Sequence, residues 1–124
     1  MNFIRFILSS TKRYVYDDAS NIAMNILGNF LVSDINDDSS SFKDWLFNPK
    51  FDRACGNLTV LDKENGYIIL SDIYSEEETP TELKITNSQF LQILHDWEEK
   101  VIKKKPKEVT IKYENDQFLF ETKE

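Results

Sequence analysis

The chain has 124 residues, with 22 Asp and Glu against 15 Lys and Arg, a single His, a single Cys and a net charge of −7. This length suits one domain, and 40% hydrophobic residues with only three Gly and three Pro indicate a packed core and exclude a disordered chain. Because a negative surface repels phosphate backbones and anionic lipids, we expect no nucleic acid and no membrane as a direct partner.

The N-terminal segment predicts a strand followed by a helix. Residues 3–8 are rich in β-branched and aromatic side chains, which is typical of a strand, and the run is too short for a signal peptide or a membrane span. Asp17, Asp18 and Ser20 are candidate caps for a helix start. Apolar residues then recur at helical spacing, which predicts a first helix at about residues 19–32.

The next region predicts a loop and a short helix. Gly28, inside the first predicted helix, either allows a close crossing of another element or weakens that helix. Residues 34–41 are turn formers and charged residues with little to bury, so they predict an exposed loop. Ser41 and Asp44 have the spacing of a capping box, which predicts a short helix that ends at Pro49.

The middle of the chain predicts a hairpin. Asn65 and Gly66 favour the left-handed backbone of a tight turn, and residues 58–62 and 67–73 on either side predict its two strands. The second strand begins with consecutive apolar residues, which is typical of an interior strand covered on both faces. Residues 50–57 show no periodic pattern and are expected to be irregular.

The C-terminal region predicts a strand, a second main helix and a closing hairpin. A short alternating pattern predicts the strand at residues 82–85. Thr86 and Gln89 form a capping box that starts the helix, and Pro106 marks its end. The apolar stripe of this helix consists of Phe90, Leu94, Trp97 and Val101, with Ile93 beside it. Residues 109–120 alternate on either side of a polar turn, which predicts the hairpin.

This order of elements, with hairpins that force antiparallel neighbours, predicts an α+β fold. We expect an antiparallel β-sheet of about five or six strands with two main helices packed against it. No repeat or linker divides the chain, so residues 1–124 are expected to form a single α+β domain. The single Cys cannot form an internal disulfide, which agrees with a cytoplasmic protein.

One predicted loop carries part of a metal-binding pattern. Asp34, Asn36 and Asp38 occupy positions one, three and five of a calcium-binding loop. The other positions do not fit, because Ser39 stands where the sharp turn requires Gly and Trp45 stands where a bidentate Glu is required. We therefore expect a solvated loop without a metal, and the sequence indicates no cofactor.

Residues suited to catalysis are few in this sequence. His95 lies away from the apolar stripe and is expected to be exposed, with Asp96 next to it rather than one helical turn away. Cys55 is expected to be a small buried apolar residue rather than a nucleophile. The glutamates at 76–78 are expected to be fully solvated, whereas acid–base catalysis needs carboxylates in different environments. We therefore expect a binding protein and not an enzyme.

Negative charge is concentrated in the middle of the chain. Residues 14–82 contain fourteen Asp and Glu but only four Lys and Arg, which favours a positively charged protein as partner. Aromatic side chains are the usual anchors of protein interfaces. The candidate partner-binding residues are Asp34, Asp37, Asp38, Trp45, Asp72, Tyr74, Glu76, Glu77 and Glu78.

Three segments are similar to those of a known group of compact α+β proteins. They are residues 66–72 (GYIILSD), the short helix from Phe90 to Trp97 and the strand from Lys107 to Tyr113. In these segments the chain resembles the small acidic immunity proteins of bacterial contact-dependent inhibition and related polymorphic toxin systems. The resemblance implies a stoichiometric inhibitor, inside the producing cell, that covers the active site of a cognate toxin, often a basic nuclease. Acidic loops that replace nucleic-acid phosphates would explain such inhibition.

Two other classes of function stay open at this point. The first is a small hydrolase that uses carboxylates alone, and it would lose activity when one Asp is replaced by Ala while folding is intact. The second is an oligomeric regulatory or structural protein, and it would form a stable homo-oligomer without a heterologous partner.

Overall fold

The computed structural model describes residues 2–35, 39–76, 78 and 81–124. These residues form eight strands in two antiparallel four-stranded sheets, together with three α-helices. The predicted α+β class is therefore confirmed, whereas the expected single sheet of five or six strands is wrong. The difference arises from two strands that the sequence patterns did not predict and from the division of the strands between two sheets.

The elements follow one another along the chain with these bounds. They are β1 (Asn2–Leu8), β2 (Tyr14–Ala19), α1 (Ile22–Asn29), a π-helical continuation (Phe30–Ile35), α2 (Ser40–Phe47), β3 (Arg53–Cys55), β4 (Thr59–Glu64), β5 (Tyr67–Asp72), β6 (Glu82–Thr86), α3 (Asn87–Asp96), a π-helical continuation (Trp97–Ile102), β7 (Glu108–Glu114) and β8 (Gln117–Lys123). The first sheet has the order β2-β1-β7-β8 and the second sheet the order β3-β4-β5-β6.

The first sheet contains the predicted first strand and the predicted closing hairpin, and also β2, which was not predicted. Asp17 and Ser20, expected to cap a helix, instead bind β1. The Arg5 Nε–H donates to Asp17 Oδ2 at 2.6 Å, and the Phe3 backbone N–H donates to the Ser20 hydroxyl at 2.8 Å. The side-chain oxygens of Asp17 and Ser20 thus accept hydrogen bonds from β1. The N-cap of α1 is therefore the later residue Asn21, whose side chain accepts from the Met24 N–H at 2.9 Å.

The first helix is shorter than predicted and crosses β1 closely. It ends at Asn29 and continues as the π-helical segment, so the expected span of 19–32 is wrong at both ends. A Cβ atom at Gly28 would overlap the terminal methyl group of Ile4 and lie 3.3 Å from the Phe6 ring. Gly28 therefore permits a close crossing of α1 over β1, as one of the two interpretations of this glycine predicts.

This crossing predicts a double-mutant result. Gly28→Ala is expected to lower the free energy of unfolding by about 1–2 kcal/mol, because overpacking against β1 outweighs the helix propensity that Ala gains. Ile4→Val removes the methyl group that the added Cβ atom would meet. The combined variant is therefore expected to be more stable than Gly28→Ala alone in urea denaturation, and additive losses would contradict the crossing.

The second sheet contains the predicted hairpin of β4 and β5. Its turn residues Asn65 and Gly66 have φ of 50° and 86°, as the Asn-Gly signal predicts. The strand β5 is interior, as expected, but only its alternate residues Ile68 and Leu70 are fully buried, while Tyr67 is 41% exposed. The expectation that both faces of this strand are covered is therefore wrong. Residues 50–57, expected to be irregular, contain the short edge strand β3.

The short helix α2 starts two residues earlier than the predicted capping box requires. Its N-cap is Ser39, whose side chain makes no capping bond. Instead, the Ser39 hydroxyl donates to Glu98 at 3.1 Å, and the Lys43 ammonium approaches the same carboxylate at 3.3 Å. The hydroxyl is thus used between helices, and Ser41 and Asp44 do not form the cap. The helix ends at Phe47, before Pro49, as predicted.

The helix α3 agrees closely with its prediction. Thr86 and Gln89 form the capping box, and the whole apolar stripe of Phe90, Leu94, Trp97 and Val101 is buried. The helix packs against β8 of the first sheet and against β5 and β6 of the second sheet, while α1 also contacts strands of both sheets. One hydrophobic core therefore joins the two sheets through the helices. In the described part of the chain, no helix has the length and apolarity needed to cross a membrane.

Candidate functional site

Two of the predicted acidic segments meet at one end of the second sheet, through the backbone of Leu58. The Leu58 N–H donates to Asp34 Oδ1 at 3.0 Å, and the Leu58 carbonyl accepts from the Ile73 N–H at 3.0 Å. Segments that are distant in sequence therefore lie on either side of one turn. We call this region the acidic end, and it comprises Asp34, Asn57, Leu58, Asp72, Ile73, Tyr74, Glu76 and Glu78.

Asp34 has a structural position within the acidic end. Besides Leu58, its Oδ1 accepts from the Asn57 N–H at 2.6 Å. The carboxylate fills the space where a Cβ of Gly56 would lie, and its second oxygen is buried without a hydrogen-bond partner among the described residues. Asp34 was predicted in an exposed loop, but it belongs to the π-helical segment and fastens that segment to the β3–β4 turn.

The connection after β5 presents an aromatic side chain to solvent. The Asp72 Oδ1 accepts from the Tyr74 N–H at 2.8 Å, which closes an Asx turn. This turn leaves Tyr74 71% exposed, next to Ile73, which is 39% exposed. Since most large apolar side chains of this chain lie in the core, the pair forms an apolar contact surface beside carboxylates.

The described carboxylates of this connection are not neutralised by nearby cations. Within the described residues, neither Asp72 nor the exposed Glu76 and Glu78 takes part in a salt bridge. Carboxylates elsewhere do, for example Asp62 with Arg53 at 2.7 Å. Negative potential therefore remains at the acidic end, where no cation of the described residues neutralises it.

The other predicted site residues lie elsewhere or outside the described residues. Trp45 is buried in the core at 9% exposure, with its ring 6.3 Å from Phe90 and the Lys63 ammonium 4.7 Å above it. It is therefore no part of the acidic end. Asp37, Asp38 and Glu77 lie outside the residues that the structure describes.

Sequence reasoning missed the turn that organises the acidic end. Cys55 at the end of β3 is exposed, so its predicted burial is wrong. The Gly56 N–H donates to the Thr59 carbonyl at 2.8 Å and closes the turn that carries Asn57 and Leu58. The Gly-Asn pair was the available signal, since both residues favour turns.

The structure also shows where the residues considered for metal binding and catalysis lie. Among the described residues, no group of three or more His, Cys, Asp and Glu side chains could hold a metal ion. Asn36 and Asp38 of the calcium-like pattern lie outside the described residues. His95 is exposed on α3, as predicted. Its neighbour Asp96 accepts from the Gln92 side chain at 3.0 Å, one helical turn away.

No family model, curated protein or solved structure matches this chain.

Proposed function

We propose that this protein is a cytoplasmic immunity protein that binds a cognate toxin domain, most simply a basic nuclease, and neutralises it through the acidic end. The observation that carries the proposal is the meeting of uncompensated carboxylates and the exposed Tyr74 at one end of the second sheet. This combination suits a protein partner, because aromatic residues anchor interfaces and charges steer encounter.

The proposed inhibition is occupation of the toxin's active site without chemistry. A nuclease site presents Lys, Arg or a metal ion to phosphate groups. Asp72, Glu76 and Glu78 would offer carboxylate oxygens to those groups, and Tyr74 would pack against an apolar part of the rim. The protein then acts as a stoichiometric binding partner and not as an enzyme.

Preorganisation of the acidic end favours this mode of binding. Both sides of the Leu58 backbone are bonded, to Asp34 and to Ile73, and the Asx turn fixes the backbone before Tyr74. Fixed backbone reduces the conformational entropy lost on association. Asp72 is exposed on this supported turn, so its carboxylate reaches a partner without a rearrangement of the core.

The neighbouring reading frame gives the first test of the proposal. We expect the frame immediately upstream to encode a large secreted protein with a basic C-terminal domain. Coexpression of that domain with this chain should yield a complex with equal numbers of the two chains, and addition of this chain should abolish the domain's nuclease activity. A basic domain that neither co-purifies nor loses activity would refute the proposal.

Charge reversal at the acidic end predicts slower association. Glu76→Lys with Glu78→Lys is expected to slow association with the toxin domain about tenfold at low ionic strength, because electrostatic steering is lost. The rate is measured by stopped-flow mixing. At about 1 M salt, where charges are screened beyond about 3 Å, the variant and the wild type should associate at similar rates.

A matched control separates local charge from net charge. Asp52→Lys with Glu64→Lys alters two exposed carboxylates at the opposite end of β4, and both double variants have the same net charge. Equal slowing by both pairs would contradict the acidic end as the binding surface. Thiol labelling of Cys55, the single cysteine, gives an independent readout, because a toxin bound at this end should slow it.

A further inference from the structure

The strand β2 is a free edge of the first sheet with exposed apolar side chains. It is the first strand in the order β2-β1-β7-β8, so no strand of the described residues pairs with its outer side. Val15 is 48% exposed and Tyr16 47%, and Ile7, which pairs with Val15 in β1, is 41% exposed. Unpaired strand edges of this kind readily pair with another chain.

The hydrogen-bond pattern shows which backbone groups of β2 are available. The Leu8 N–H donates to the Lys107 carbonyl at 2.9 Å and so faces away from β2. Leu8 pairs with Tyr14. Two opposite residues of antiparallel strands exchange either both backbone hydrogen bonds or none. Since the Leu8 groups face away from β2, Leu8 and Tyr14 exchange none, and the Tyr14 N–H and C=O groups face outward from the sheet. Alternation gives Tyr16 the same direction and turns the Val15 groups toward β1.

The segment that contains β2 is basic at its start and acidic near its end. Lys12 and Arg13 precede the strand, Asp17 and Asp18 lie just before its last residue, and the residues between these two pairs are uncharged. When such a segment pairs antiparallel with a copy of itself, the basic start of each strand lies opposite the acidic end of the other. The segment is therefore complementary in charge to itself, although the chain as a whole carries −7.

We propose that two copies of this chain form a dimer through antiparallel pairing of their β2 strands, centred on Val15. Tyr14 then exchanges both backbone bonds with the partner's Tyr16, which is the arrangement that the outward-facing groups require. Arg13 lies opposite the partner's Asp18, because β2 has one extra residue, Asp17, between Tyr16 and Asp18. The two first sheets become one continuous sheet across a twofold axis, and the interface closes at the dimer.

The groove beside β2 supports this assignment. It lies between β2 and the π-helical continuations of α1 and α3, and the cations Lys12, Arg13 and Lys105 line it together with Tyr14 and Tyr16. No carboxylate of the described residues lines it. Asp18 forms no salt bridge among the described residues, so the partner's Asp18 is available to Arg13.

Charge exchange tests the register of the dimer. Arg13→Glu and Asp18→Lys each place like charges opposite one another twice in the dimer, so each variant is expected to raise the dimer dissociation constant about tenfold. An equal mixture of the two variants should recover dimers, since a carboxylate at position 13 of one chain then faces an ammonium group at position 18 of the other. The combined variant should recover them as well. Dissociation constants are measured by sedimentation equilibrium, with 14.6 kDa as the monomer mass.

A pair of edge variants distinguishes the two free edges of the first sheet. Val15→Lys places two ammonium groups at the twofold axis and is expected to give only monomer. Leu119→Lys alters the exposed apolar residue of β8, the other edge strand, and should leave the dimer intact. Circular dichroism checks that both variants are folded. Wild-type protein that stays monomeric, a dimer lost only in Leu119→Lys, or a mixture that fails to recover dimers would overturn the proposal.

Discussion

Replacement of Phe90 by alanine is expected to lower the free energy of unfolding by about 3–5 kcal/mol, because it removes a buried aromatic ring and leaves a cavity. Phe90 is 1% exposed, and its ring centroid lies 5.9 Å from that of Phe30 and 6.3 Å from that of Trp45. It therefore joins α3 to α2 and to the continuation of α1.

Urea denaturation followed by tryptophan fluorescence measures this loss. Phe90→Leu is the control, since it keeps much of the apolar volume and is expected to cost less than about 1.5 kcal/mol. A loss below that value for Phe90→Ala would mean that the three helices are not held together by this ring. Far-ultraviolet circular dichroism should follow the same transition if the two sheets unfold together.

The sequence predicts α3 well because all its signals are local. Thr86 and Gln89 lie within one turn of each other, the apolar stripe repeats at helical spacing, and Pro106 follows the end of the helix. The β4–β5 hairpin is predictable for the same reason, since Asn65-Gly66 specifies its turn. Where neighbouring residues satisfy one another, the pattern and the structure agree.

The strands β2 and β3 are not predictable in this way, because distant residues determine them. Asp is a residue type that favours helix caps, but the Asp17 carboxylate is bound by Arg5 across the pair of strands β1 and β2. The strand β3 has three residues and exists through its pairing with β4. The same limit explains the two sheets, since the pairing of β1 with β7 joins opposite ends of the chain.

The residue types of the candidate site were predictable from the sequence, but the contacts that hold the site together were not. Charge and aromatic content pointed to Asp72, Tyr74 and Glu76, which lie together on one connection. The local pattern did not indicate that Asp34 serves as an internal acceptor, because its donors are the N–H groups of Asn57 and Leu58, far away in sequence. Trp45 was counted with the surface residues, although the packing of α2 against α3 places it in the core.

Loss of the Asp34 carboxylate is expected to loosen the acidic end. Asp34→Ala removes the acceptor of two backbone N–H groups and should lower the free energy of unfolding by about 2–3 kcal/mol. Asp34→Asn keeps an oxygen at Oδ1 and should lose less than half of that amount, because the neutral amide oxygen still accepts. Urea denaturation of the two variants measures the difference.

Hydrogen exchange shows where this loss is located. In Asp34→Ala the amides of Asn57, Leu58 and Ile73 should exchange faster, whereas those of the β7–β8 hairpin should keep their wild-type rates. The same variant leaves Glu76 and Glu78 in place, so its association with a basic toxin domain should remain fast while its dissociation becomes faster. Unchanged exchange at Leu58 and Ile73 would show that Asp34 does not hold the two acidic segments together.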